Sequence, residues 1–437
     1  MSSWYAPDAA GLGIRGNEGR IELTKASDET FTLTGTFLAL ILIGFFARLS
    51  YSMARTPVLA LFAKALGASS TMIGLVVGMS TVTGIFFKAP AGTLSDVYGR
   101  RAALMAAVMV FGLMPFTYIL VHDYRLLIVI RFFHGFATAI YGPVAMAVII
   151  DVAGDRKGQL IATYSSISIL GGLIAAPLGG GLLYMLGGAD PSPQVFHLVY
   201  LAVGCIGCVS LLLVLTLWRR LPSRPSPEPP TLGEVMGKFR DDVVAVVTDV
   251  QVLLTSAMEG VQNLTVGALE AFLPVYITVT AGLTSFHAGV LWGVQLVVLV
   301  LVRPVMGRVS DIRGRKPLVT AGMVLCVVSF ILYPATTSFI ALCGLTLLFG
   351  MGEAMVTSST AAMVAELSKA RGHGTSMGVF GSLWDIGHAA GPITTGFLLS
   401  HLSYLPAFGV ISAVLLIATV AFQLFVREPR RIGVRTG

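Results

Sequence analysis

The chain has 437 residues, 55% of them apolar and only 12% charged, with a formal net charge of +7. Soluble domains carry about 25% charged residues, so a water-soluble enzyme built on buried helices is excluded. The basic excess forms no patch on a soluble face, which excludes nucleic-acid binding. No G-x-S-x-G, Walker loop, H-E-x-x-H or metal-spaced His/Cys cluster occurs, so neither an enzyme nor a self-contained ATP-driven pump is indicated.

In chain order, residues 1–32 are polar and Gly-rich and lack the basic-then-apolar-then-small order of a cleaved signal. Apolar runs near twenty residues then match a hydrocarbon core of roughly 30 Å. They predict twelve spans, near 33–54, 70–91, 103–121, 126–150, 159–185, 196–218, 250–280, 287–306, 317–336, 339–364, 374–399 and 403–426. Between the sixth and seventh lies a Pro/Ser-rich linker, 219–249, whose part Leu232–Val247 has the pattern of a surface-lying amphipathic helix. The reading is therefore a cytoplasmic segment 1–32, a bundle 33–218, the linker, a bundle 250–426 and a tail 427–437. Lys and Arg divide 22 against 3 between the two sides, the three being Arg55, Lys64 and Arg125. The positive-inside rule then predicts both termini in the cytoplasm, with the plasma membrane, a bacterial inner membrane, as the location.

The phrase "GTLSDVYGRR" at Gly92–Arg101 returns as "GRVSDIRGRK" at Gly307–Lys316, 215 positions on. At the same offset Gly74 and Gly78 meet Gly289 and Gly293, Lys88 meets Arg303, and Asp151 meets Glu366. Gly172 and Pro177 likewise meet Gly387 and Pro392. The fold class expected is an all-α polytopic membrane protein: twelve transmembrane helices in two pseudo-symmetric six-helix bundles, related by an axis along the membrane normal.

Twelve spans, two halves and a G-x-L-x-D-x-x-G-R-[RK] loop between spans two and three resemble the major facilitator superfamily over nearly the whole chain. The loop carries Gly92, Asp96, Gly99 and Arg100, and its copy Gly307, Asp311, Gly314 and Arg315. "LIVIRFFHGFATA" is similar to that family's motif B, with His134 in place of Gln. "GLIAAPLGGG", containing Gly172, Pro177, Gly180 and Gly181, is similar to motif C of the drug/proton antiporter branch. Gly387, Gly391 and Pro392 repeat part of it, so repeat symmetry explains some of the match. The resemblance implies that Asp96 faces the start of span eleven near Gly374 and that Arg100 pairs with Asp151. By symmetry Asp311 faces the start of span five near Gly158 and Arg315 pairs with Glu366. These contacts would latch the cytoplasmic side. It also implies a proton-coupling role for Arg131.

Charges inside spans are costly, so each is a functional candidate. The first half carries Arg48, Arg131 and His134; the second carries Glu259, Glu270, Glu353, Asp385 and His388. Either these pair across a central cavity, or they recognise an ionised substrate and a proton. Arg48, whose repeat partner is Asn263, lines the cavity on this reading. Asp385 and His388, three apart on one helix face, make a carboxylate–imidazole pair suited to a proton. Lys88 and Arg303 snorkel to the cytoplasmic interface.

Span one carries Arg48 and no acid, which argues against cationic drugs and for a neutral or anionic substrate. The expected function is transport of a small organic molecule by one chain in the bilayer, with a proton as coupling ion and no cofactor or metal. Export against proton entry, proton-coupled uptake of an organic anion or nutrient, and a non-transporting sensor are the competing readings.

Overall fold

The computed structural model describes residues 18–152, 157–218, 249–368 and 373–428, with positions 231, 233, 234, 237 and 240 between. The Leu232–Val247 surface helix and most of the linker and tails fall outside the described residues. Among the described residues there are thirteen α-helices. The first half comprises α1 (Glu18–Arg55), α2 (Val58–Ala65), α3 (Ser70–Tyr98), α4 (Arg100–Thr117), α5 (Tyr124–Val152), α6 (Lys157–Gly187) and α7 (Pro193–Leu217). The second comprises α8 (Val250–Val275), α9 (Ser285–Arg313), α10 (Arg315–Leu332), α11 (Phe339–Leu367), α12 (His373–Leu399) and α13 (Tyr404–Phe425).

The first span differs from expectation. Pro57 has no N–H and disfavours helix in the residue before it, so α1 ends at Arg55. The apolar run continues as α2, and the span reaches Ala65 rather than position 54. Among the described residues eleven segments are long and apolar enough to cross a membrane. α12 is as long, but Asp385, His388 and several small residues hold it below that apolarity. Side-chain caps set two starts: Ser69 accepts from the Met72 N–H at 3.4 Å, and Asp249 accepts from the Gln251 N–H at 3.1 Å.

The packing has the symmetry that the repeat demands. In the first half α1 packs on α6 and α3 on α5; in the second, α8 packs on α12 and α9 on α11. Across the halves α3 meets α12 and α6 meets α9, a pair of contacts that the 215-residue shift exchanges. Lipid supplies no hydrophobic drive between helices, so close packing must hold them. Stacked rings do this in both cores: Phe62 on Phe196 at 5.0 Å and Phe330 on Phe408 at 4.3 Å. Each such pair contributes about 0.5–1.5 kcal/mol beyond burial.

One end of the molecule carries the α3–α4 and α9–α10 loops and is called here the basic end. At the opposite, far end the halves touch backbone to backbone. The Pro392 carbonyl occupies the place of a Cβ on Gly74, the Ala176 carbonyl that of a Cβ on Gly289, and the Ser285 carbonyl that of a Cβ on Gly180. Toward the basic end of α9, Arg303, Pro304 and Val305 are exposed in succession.

Candidate functional site between the two halves

The repeated loops turn on glycine. Gly99 has φ 91° and Gly314 has φ 105°, so α3 hands to α4, and α9 to α10, through backbone that a Cβ opposes. Arg100 forms an ion pair with Asp151 and donates to the Ala147 carbonyl at 2.8 Å. Arg315 pairs with Glu366 at 2.8 Å, the symmetry-related contact. Asp311 pairs with Arg315 at 2.5 Å on its own loop; the segment leading into α6 that it was expected to face falls largely outside the described residues. The side chains of Asp96, Gly92 and Gly374, and residues Arg156 and Arg371, fall outside what is described. Glu428 was not foreseen; its carboxylate accepts from the Arg315 N–H at 2.6 Å and the Lys316 N–H at 2.8 Å, capping α10. Gly314→Ala is expected to lower stability by about 1–3 kcal/mol through backbone strain. Its Cβ would also meet Glu428 Oε1 at 3.0 Å. Thermal unfolding in detergent checks this, and an unchanged midpoint would contradict it.

Deeper in, two ion pairs join the halves. Because α1 stops before Pro57, Arg55 and Thr56 are presented toward α8. Arg55 forms an ion pair with Glu270, which is 3% exposed. The Thr56 hydroxyl donates to Glu270 Oε1 at 2.8 Å. His388 Nε2 lies 2.9 Å from Glu270 Oε2 and 2.7 Å from Arg55 Nη2. One ring nitrogen therefore either donates to the carboxylate or accepts from the guanidinium, and its protonation decides which. Trp384 stacks on the imidazole at 5.0 Å with planes 6° apart. In the second pair Lys88 donates to both oxygens of Asp385, at 2.5 and 2.8 Å. Lys88 thus does not snorkel, and among the described residues Asp385 and His388 do not pair with each other: Lys88 across the seam takes Asp385, and Glu270 on α8 of the same half takes His388. Arg303, its repeat partner, is exposed.

Within the first half Arg131 is fully buried, contacts Ser80 Oγ and lies over the Tyr51 ring at 5.5 Å. Its Nε and Nη1 have no hydrogen-bond partner, and among the described residues it makes no ion pair. His134 Nδ1 is 3.1 Å from the Tyr118 hydroxyl, and Tyr118 stacks on Tyr200 at 4.1 Å. Arg48 is exposed although it lies within the span, and the space beside it opens because Gly172 has no side chain.

Within the second half, Glu259 is fully buried and accepts from the Thr360 hydroxyl at 2.8 Å. Asn263 donates to the Glu259 carbonyl at 3.0 Å and so does not line the cavity as a counterpart of Arg48. Glu353 accepts from Gln295 Nε2 at 2.8 Å. Neither carboxyl forms an ion pair among the described residues, though Arg303 lies within electrostatic range of both. An isolated buried carboxylate is costly, so each needs a proton or a cation to be stable there.

The motif C glycines pack helices. A Cβ on Gly387 would fall on the Gly260 carbonyl and one on Gly391 on the Leu264 carbonyl, both within the second half. Gly180 and Pro177 meet Ser285 and Gly293 across the seam, and Gly181 faces the Phe286 ring. Arg55, Thr56, Lys88, Trp384 and Tyr51 were not singled out as site residues. The proline two positions after Arg55 and the shared position of Lys88 and Arg303 in the repeat were the available signals.

This architecture defines an all-α, multi-pass membrane protein whose charged groups face one another between two repeated bundles. The chain belongs to the Major Facilitator Superfamily, whose sequence profile matches residues 40–301 and 260–436. The family is one of transporters, so the chain is not an enzyme. It is 22% identical over 365 residues to an uncharacterized MFS-type transporter of Methanocaldococcus jannaschii, covering 83% of this chain and 89% of that one. It is 23% identical over 375 residues to a multi-drug resistance efflux pump homolog of Lactococcus lactis, covering 82% and 87%. Among solved structures, the nucleoside transporter NupG superimposes with a TM-score of 0.74 at 13% identity, over 89% of this chain and 98% of that one. An inward-facing, occupied bacterial homolog of the human lysosomal transporter Spinster gives 0.71 at 16% identity, over 90% and 96%. At these identities the structures bear on the fold alone.

Proposed function

We propose that the chain exports a small organic molecule in exchange for protons by alternating access, working as one chain with its basic end toward the cytoplasm of a bacterial inner membrane. One observation carries the reading: the interior charges sort into two cross-half ion pairs and two buried carboxyls without an ion pair. Opening the far end requires Arg55 to leave Glu270 and Lys88 to leave Asp385, so these contacts bias the rocking equilibrium. Glu259 and Glu353 have no such partner to break, and they supply the proton sites. The export direction is supported by the similarity to the Lactococcus efflux-pump homolog and by the motif C resemblance.

The test uses inside-out vesicles with an acid lumen and a pH-sensitive dye, presented with a panel of small organic acids, amides and amines. Transported compounds are expected to accumulate and to release lumenal protons. Glu259→Gln and Glu353→Gln are each expected to abolish the proton release while leaving the protein in the membrane. Accumulation without proton release, or release that survives both substitutions together, would sink the coupling. Exclusion of the compounds would instead favour proton-coupled uptake, the competing reading.

A further inference from the structure

Removing the paired charges leaves an asymmetric remainder. Arg55 is taken by Glu270 and Lys88 by Asp385, so the second half keeps two carboxyls and the first keeps Arg48 and Arg131. Arg131 is fully buried beneath aromatic rings and is closed to any ligand. Arg48 is not. It lies about 20 Å along the helix axis from Gly35, where the span begins, at about 1.5 Å per residue, too deep to reach the headgroups. Its neighbours in the electrostatic sense are Arg55, Tyr51, Glu270 and Tyr164, which places it on the interior side of α1. It is nevertheless exposed, and among the described residues it makes no ion pair and no hydrogen bond.

The surroundings are built. On α1 Gly44, Arg48 and Ser52 recur every fourth residue; on α6 Tyr164, Ser168 and Gly172 do the same and face them. A Cβ on Gly44 would lie 2.8 Å from Ser168 Oγ, and one on Gly172 would lie 3.5 Å from Arg48 Nε and 3.6 Å from Ser52 Oγ. The Ser168 hydroxyl is buried against the Tyr164 ring beside Gly44. The Tyr164 hydroxyl is held by donation to Tyr141 at 2.9 Å. A planar guanidinium with the Ser52 hydroxyl on the same cleft, next to a helix face cleared by Gly172, presents donors to an oxyanion and no carboxylate of its own. Glu270 makes no ion pair with it, since Arg55, Thr56 and His388 already occupy that carboxylate.

We infer that Arg48, with Ser52, anchors the anionic head of the substrate, a carboxylate, sulfonate or phosphate, in the cavity between the halves. This rests on the transporter reading for what happens to the anion next, but not for its binding. A cationic head would sit against Arg48 and Arg55 and is rejected by like charge. The substrate is thereby an organic anion, and its site is separate from the carboxyls assigned to protons.

The site can be tested without knowing the substrate. Cys205, Cys208, Cys326 and Cys343 are replaced by Ala, and Ser52→Cys is introduced as reporter. Its reaction with a sulfonatoethyl methanethiosulfonate, itself a small organic anion, is timed against that with the trimethylammonium analogue, each normalised to a free thiol in solution. The anionic reagent is expected to be favoured about tenfold. Arg48→Gln is expected to bring the ratio near one, and Arg48→Lys to keep most of it. Gly172→Cys, on the facing helix, is a second reporter should Ser52→Cys fail to fold. A preference for the cation, a ratio unmoved by Arg48→Gln, or no reaction at either reporter would overturn the proposal. No gradient is imposed, so the outcome is independent of proton coupling. Absent proton release in vesicles with this ratio intact would sink the proton-coupled reading and leave the anion site standing.

Discussion

Glu270→Gln is expected to abolish transport and to lower stability by about 3–5 kcal/mol, the cost of leaving a buried cation without its partner. Arg55 makes its ion pair with Glu270 and, beyond it, among the described residues its polar contacts are His388 and Thr81, the latter at 3.3 Å. A Gln amide preserves the shape and can still accept from Thr56, so the loss isolates the charge. The companion Arg55→Met with Glu270→Leu removes both charges and fills the space with apolar atoms. It is expected to recover most of the stability, because replacing a buried ion pair whole is often neutral, yet to remain without transport. Thermal unfolding in detergent and vesicle flux give the two readouts. A Glu270→Gln protein as stable as the parent would show that the cross-half pair does not hold the far end shut. A double variant that transports would show that it is packing rather than a moving contact.

The architecture was legible because its signals run along one dimension. Span length, the 215-residue offset and the doubled glycine loops survive without knowledge of which side of a helix faces inward. Arg315 with Glu366 and Arg100 with Asp151 follow from the same regularity. Partners across the seam were not legible. Depth along a span puts Arg55 at the outer boundary and Lys88 near the inner one, and both readings assume a free side chain. Pro57 ends α1 so that Arg55 turns toward α8, and α12 delivers Asp385 to Lys88. Rotation of one helix against another sets these contacts, and neither periodicity nor charge counting reports it. The same blindness made Asp385 and His388 look like a pair. They share a face, but the stronger partners stand on other helices.

Arg131→Met is expected to separate function from stability most sharply. The guanidinium is fully buried, and two of its nitrogens have no hydrogen-bond partner. An unsatisfied buried donor costs about 1–3 kcal/mol, more when charged. Set against this are the contact with Ser80, the neighbouring Tyr118 hydroxyl and the face of Tyr51, the last in the range of about 0.5–2 kcal/mol for a cation over a ring. A methionine of similar length removes the cost and keeps the volume, so the unfolding midpoint is expected to hold or rise. Arg131→Ala, by contrast, leaves a void among Tyr51, Tyr118 and Ser80 and is expected to destabilise. If the cation were there for stability, Met would be the worse residue and would unfold earlier; if it is there to act, Met is silent in the melt and fatal to flux. Arg131→Lys is expected to fail too, since a point charge cannot span Ser80 and the Tyr51 ring as the planar fork does. Vesicle flux with the melting midpoint decides, and a stable Arg131→Met protein that still transports would remove Arg131 from the mechanism.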